Sequence, residues 1–265
     1  MRIDKEPLPL PGTTTDPLYP SWDGKPMGET DFHTAAILVL REALEDYYAA
    51  AGRTDVYVAS NMLLYYAQNF SDARRDPDVL VALGTGTHRR QSFRVWEEGR
   101  LPDVVFEIAS KSTHAEDTGD KFQVYQCLGI REYYLFDPQG EFYSPTLMGY
   151  RLVRGRYSRV RPVEGDALPS RQLGLWLVGQ GSELRLIDPA TREMIPTRRE
   201  RIEQVEEERD LAQEERDSAR REQREERLQR LRSERLARQA EIRIRELEDE
   251  LRRLRGLPPG ESPQA

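Results

Sequence analysis

The sequence predicts an α/β domain followed by one long charged helix, and three observations carry that expectation. Between residues 30 and 138, helical periodicity alternates with short apolar runs that read as strands. From residue 150 to 187 only strand-like segments follow, separated by turn residues. From 197 to 255 there is no Gly or Pro, and Glu and Arg dominate.

Residues 1–27 hold Pro7, Pro9, Pro11, Pro17, Pro20 and Pro26, with Gly12 and Gly24. Proline locks φ and lacks a backbone donor, so an extended arm is expected here, not a helix or central strand. The first helix should follow. Thr30 or Asp31 caps it, Ile37, Leu38, Leu40, Ala43 and Leu44 keep helical spacing up to about Tyr48, and Gly52 ends it. Val56 with Val58, and then 62–66, read as two short strands. The runs 78–83, between Pro77 and Gly84, and 102–110 are apolar enough for buried strands. Residues 117–128 have helical periodicity with Gly129 as the stop, and 132–136 is a strand ending at Asp137-Pro138. Beyond Gly149, residues 150–153, 175–178 and 184–187 read as further strands.

The segment 197–255 holds 18 acids and 18 arginines, many at i,i+3 or i,i+4 spacing worth roughly 0.2–0.5 kcal/mol per pair in a helix. Ala240, Ile244, Leu247, Leu251 and Leu254 keep 4-3 spacing, so residues 240–254 are expected to pair as a coiled coil, with a second copy or a partner helix. Gly256-Leu257-Pro258-Pro259 stops the helix, and 256–265 is expected to be disordered. The expected divisions are therefore an arm at 1–27, a domain at 28–196, a charged helix at 197–255 and a tail.

Composition narrows the function classes. The single Cys127 excludes an intrachain disulfide framework and any multi-cysteine zinc site. No apolar run is long enough for a signal peptide or a bilayer span, so a soluble cytoplasmic protein is expected, with no membrane partner. The net charge of −7 argues against coating nucleic acid by bulk electrostatics. Because the 197–255 segment is balanced, the rest carries the excess, 29 acids against 22 bases. There is no Gly-Xaa-Ser-Xaa-Gly elbow and no phosphate-binding glycine loop, which removes those hydrolase and nucleotide-binding classes.

Two acids stand in unfavourable places. Glu107 lies inside Val104-Val105-Phe106-Glu107-Ile108, and a buried unpaired carboxylate costs several kcal/mol, on the order of the penalty for any desolvated ion. It should face a cleft, a metal or a cation. Asp78 follows Pro77 at the mouth of another apolar strand. Two strand-borne carboxylates can hold a hard cation such as Mg²⁺, and a lysine beside them adds a charge for a phosphoryl transition state. Lysine is scarce: against 36 arginines stand only Lys5, Lys25, Lys111 and Lys121. Lys121 follows the Glu107 strand, with Asp117 one helical turn earlier. Asp103, four residues before Glu107, is a reserve ligand on the same strand face.

The ordered segments 23–33 (Asp-Gly-Lys-Pro-Met-Gly-Glu-Thr-Asp-Phe-His), Pro77-Asp78, 102–113 with Glu107, Asp117-Xaa3-Lys121-Xaa3-Tyr125 and 129–138 make the chain resemble the Uma2 family. That family is placed in the PD-(D/E)XK nuclease superfamily. The resemblance covers roughly residues 20–196. It implies a restriction-endonuclease-like mixed sheet flanked by helices and Mg²⁺-dependent (or Mn²⁺-dependent) phosphodiester hydrolysis, with DNA as the expected partner. Asp78 takes the role of the motif aspartate and Glu107 that of the strand acid, both as metal ligands. Ala109 stands where the superfamily signature has its lysine, which assigns that role to Lys121 on the following helix. Glu29 would be an accessory acid. Two rival readings are a scaffold that keeps the fold without turnover, and a coiled-coil assembly protein whose first domain recognises a partner.

Overall fold

The computed structural model of the chain describes residues 19, 20 and 30–255. The pattern of apolar residues sets the first helix, α1 (Asp31–Ala50). Thr30 has extended φ/ψ and its Oγ1 accepts from the His33 N–H at 3.3 Å, a side-chain N-cap. Ala36, Ile37, Leu40, Ala43, Leu44 and Tyr48 form its buried stripe. The chain then runs through β1 (Val56–Ser60), the two-residue strands β2 (Leu64–Tyr65) and β3 (Arg74–Arg75), β4 (Val79–Leu83), β5 (Phe93–Arg94) and the single turn α2 (Val95–Glu98). Next come β6 (Val104–Ile108), α3 (His114–Thr118), α4 (Asp120–Leu128) and β7 (Glu132–Phe136). After these follow β8 (Leu147–Val153), β9 (Arg156–Arg159), β10 (Leu168–Ser170), β11 (Leu175–Gln180), β12 (Glu183–Ile187) and α5 (Arg198–Leu254).

The main sheet has six strands in the order β1-β4-β6-β7-β8-β9. All neighbours are antiparallel except β6 and β7, whose parallel pairing requires the crossover that α3 and α4 supply. The fold is therefore α/β with a mixed sheet. One face packs on α1 and on the leucines of the small antiparallel sheet β10-β11-β12. The other face packs under α4, around Tyr125, Tyr133 and Leu135. Covering both faces explains why β4, β6 and β7 read as apolar runs without alternation, interrupted by Glu107 in β6 and Glu132 in β7. A third small sheet, β3-β2-β5, carries a cluster in which Tyr19 packs on Tyr65 and Trp96, and the Tyr65 hydroxyl donates to the Pro20 carbonyl at 2.7 Å. The rest of the expected N-terminal arm and the expected disordered tail lie outside the described residues.

The chain falls into two compact units, Met1–Arg201 and Ile202–Ala265. The first includes the opening turn of α5, because that turn is tied to it. Thr197 and Glu200 form a reciprocal capping box, Thr197 N–H to Glu200 Oε2 at 2.7 Å and Glu200 N–H to Thr197 Oγ1 at 3.2 Å. Arg198 pairs with Glu42 and Asp46, and Arg201 also pairs with Asp46. Residues 202–254 of the second unit are helix, none of them buried, and Leu247 and Leu251 are 44% and 50% exposed. Among the described residues no helix is long and apolar enough to cross a membrane.

Candidate active site

Strand pairing brings the two expected acids together. Val79 lies opposite Phe106 in the antiparallel β4–β6 ladder, so one step further places Asp78 opposite Glu107. Asp78 Oδ2 accepts from the Ile108 N–H at 2.6 Å, which continues the ladder past the end of β4 with a side chain. From α1, His33 Nε2 lies 2.9 Å from the Ile108 carbonyl and 3.4 Å from Asp78 Oδ2. A carbonyl only accepts, so Nε2 carries the proton.

The acidic strand is met from the helical side by a broken helix. The continuous helix expected from residue 117 is interrupted: α3 ends at Thr118 and α4 starts at Asp120, with Gly119 at φ −110°, ψ −95° between them. A Cβ at that position would sit 3.0 Å from the Ala115 carbonyl oxygen, so a glycine suits the break. Despite the break, Asp117 and Lys121 converge. Lys121 Nζ donates to Glu107 Oε2 at 2.8 Å and lies 3.1 Å from Asp117 Oδ1. The latter contact is an ion pair out of hydrogen-bond alignment, so among the described residues neither Asp117 oxygen accepts a hydrogen bond. One turn further along α4, the Tyr125 hydroxyl donates to Glu107 Oε1 at 2.8 Å.

These groups are buried: Glu107, Asp117 and Tyr125 fully, Lys121 and Asp78 to within a few per cent. Two carboxylates therefore pair with one ammonium while the charge of Asp78 acts on them from nearby, and the imbalance shows in the proton affinities of Glu107, Asp117 and Lys121. Burial pushes the Glu107 carboxyl well above its usual range; Lys121 opposes this, and Asp78 and Asp117 add to it. Burial likewise pushes Asp117 up to about 6 against the pull of Lys121. Burial alone would lower the Lys121 pKa, but Glu107, Asp117 and Asp78 outweigh it and hold the ammonium charged. Tyr125 is pushed up by burial and by Glu107, so it stays a neutral donor.

Among the described residues no three Asp, Glu, His or Cys side chains form a ready-made cation cage. The donor chemistry nonetheless fits a hard divalent ion. The available atoms are carboxylate oxygens, the Asp117 oxygens are buried without hydrogen-bond partners, and the site carries more negative charge than Lys121 balances.

Of the residues singled out in the sequence, Asp78, Glu107 and Lys121 come together, while Glu29 lies outside the described residues. Lys111 is exposed. Asp103 is engaged elsewhere: its Oδ2 accepts from the Leu83 N–H at 2.8 Å, and Arg100 and Arg131 pair with it. Ser110, Ser112 and Thr113 do not cap α3 with their hydroxyls, which bond one another instead. Asp117, Tyr125 and His33 join the cluster. The signal that could have found them is their place in the segments that carry the family resemblance, His33 in 23–33 and the other two in Asp117-Xaa3-Lys121-Xaa3-Tyr125.

A family model for Uma2, described as "Putative restriction endonuclease", matches residues 8–179, more than half of the chain. No curated protein matches. The solved structures similar to this chain include one titled "Crystal structure of a putative nuclease belonging to DUF820 from Anabaena variabilis". The identity is 15% and the TM-score 0.42, over 56% of this chain and 76% of that one.

Proposed function

Because this chain belongs to the Uma2 family, we propose that it is a divalent-metal-dependent endonuclease acting on phosphodiester bonds, with DNA as its substrate. One observation supports this above the others: a buried set of three carboxylates around a single ammonium, an arrangement that a hydrophobic core alone has no reason to keep. Asp78 and Glu107 would hold Mg²⁺ or Mn²⁺, with Asp117 adjoining and Glu29 as an accessory acid. Bound there, the ion would supply Lewis acidity toward a phosphoryl oxygen and a more acidic water. Lys121, kept charged by its carboxylates, is no proton acceptor at neutral pH; it would stabilise charge developing on the phosphate. Tyr125 fixes Glu107 through its hydroxyl, and His33 fixes Ile108 and, beside it, Asp78.

Single- and double-stranded DNA and RNA incubated with Mg²⁺ or Mn²⁺ would test this. Asp78→Asn keeps an acceptor for the Ile108 N–H but loses the charge, so cleavage is expected to fall on the order of 10²–10³-fold with the fold intact. Divalent-metal binding without cleavage of any of the four substrates would favour the scaffold reading instead.

For the second unit we propose modest self-association through residues 240–254. The exposed Ile244, Leu247, Leu251 and Leu254 support it. Replacing Leu247 and Leu251 with Lys is expected to give monomers in sedimentation and to change the stability of the α/β domain by less than about 0.5 kcal/mol, as for other exposed positions. A double variant that still dimerises, or a wild type monomeric at every concentration, would refute the pairing.

A further inference from the structure

Among the described residues, strand β1 is the edge of the main sheet, hydrogen-bonded to β4 on one side. Along it runs a groove of about 550 Å³, walled by α1 and by the segment 87–90. Its five strand residues span on the order of 16 Å at ~3.3 Å per residue. Four arginines line it, Arg41, Arg53, Arg89 and Arg90; Glu45 pairs with Arg41, and Asp55 and Glu98 pair with Arg53 and Arg90 from beside it, in a chain whose net charge is −7. Four guanidinium groups against three carboxylates leave a local excess of one positive charge where the protein as a whole is acidic.

The four arginines are not equivalent. Arg90 is an anchor: it donates to Glu98 and to the carbonyls of Thr85, Gly86 and His88, and its guanidinium lies 4.0 Å from the centre of the Tyr57 ring. Its donors are committed, and they hold the segment that carries Arg89, which is exposed at the groove. Arg53 and Arg41 have in-plane partners, Asp55 and Glu45, in half-exposed pairs that an incoming phosphate can exchange. The groove also leads to the acidic cluster. Ser60 at its end pairs with Val79, and the Asn61 N–H donates to the Asp78 carbonyl at 3.0 Å.

The geometry points to this groove as the track for the sugar-phosphate backbone of a nucleic-acid strand that continues from the Asp78–Glu107 site along β1. Arg41, Arg53 and Arg89 bind its phosphates. This rests on the nuclease reading for what happens at the cluster, but the groove binds by charge alone and can be measured separately. Phosphate binding of this kind positions a strand without reading its bases, so affinity should be insensitive to sequence and steeply dependent on salt.

Binding of a fluorescein-labelled DNA duplex and of its single strand to the full chain, followed by anisotropy in EDTA over a salt series, tests the track. The same chains are then assayed for cleavage with Mg²⁺. Arg53→Gln/Arg89→Gln alters two exposed side chains. It is expected to weaken binding at least about tenfold at low salt and to make the salt slope shallower by about one for each phosphate no longer neutralised. Unchanged affinity and slope in a double variant that cleaves like a cleaving wild type overturn the track and leave the nuclease reading standing. Lost binding in the variant of a wild type that never cleaves keeps the track and removes the nuclease reading. Absence of binding by the wild type, or binding of poly-glutamate at least as tight as of the oligonucleotides, also overturns the track; the second result assigns the groove to an acidic protein partner.

Discussion

Replacing Lys121 with methionine is expected to destabilise the α/β domain by about 3–5 kcal/mol at neutral pH, as for other buried pairs that lose one member. Methionine fills similar space but leaves Glu107, Asp117 and Asp78 facing one another without a cation. The loss should depend on pH, with a sign fixed by the shifts. Glu107 and Asp117 already bind protons more tightly folded than unfolded, and without Lys121 they do so more strongly. The folded state then carries more protons, so stability recovers as pH falls through the folded values toward about 4 and is lost as pH rises through them. Urea unfolding at several pH values measures this. A pH-independent loss would mean that packing, not charge, sets the role of Lys121. Cleavage should fall on the order of 10²–10³-fold, whereas Lys111→Ala, at an exposed position, should keep it. The reverse pattern would show that the wrong lysine has been assigned.

Glu107→Gln should separate stability from activity. Glutamine can turn its carbonyl oxygen toward Lys121 and its amide toward the Tyr125 hydroxyl, so both hydrogen bonds of Glu107 have a replacement. The substitution also removes a charge that burial disfavours. The variant is expected to unfold at the same or a higher temperature than the wild type while losing cleavage by at least about 10²-fold, the trade-off of a site built against stability. Calorimetry beside a cleavage assay decides it. A clearly lower melting temperature with activity kept would mean that Glu107 is a structural anchor.

Much of this arrangement was legible because local chemistry stated it. Thr30 and the apolar positions from Ile37 to Leu44 announced α1, and the apolar runs announced β4, β6 and β7. Glu107 stood out because a carboxylate in Val-Val-Phe-Glu-Ile has no solvent to face. Asp117 did not stand out, since a helix read as continuous from residue 117 hides the break at Gly119, and i,i+4 spacing to Lys121 is as common on solvated faces. Asp103 and Glu107 share a strand face in sequence, yet Arg100 and Arg131 claim the former. Only the fold brings Arg131 to it, from 28 residues away. β2 falls inside the strand expected at 62–66, whereas the two-residue strands β3 and β5 are too short to carry any periodicity.

The crossover between the parallel strands β6 and β7 also bears on the order in which the site assembles. Glu107 and Lys121 are separated by 14 residues, and Glu107 and Tyr125 by 18. Asp78 is 30 residues from Ile108, and His33 is 75 from it. Loop-closure entropy grows with the logarithm of length, so bringing His33 in costs about 1.5 kcal/mol more than closing the Glu107–Lys121 loop. The ion pair at the centre of the cluster thus belongs to one local strand–helix unit, and on loop-closure entropy alone the residues from the amino-terminal half are expected to join it later.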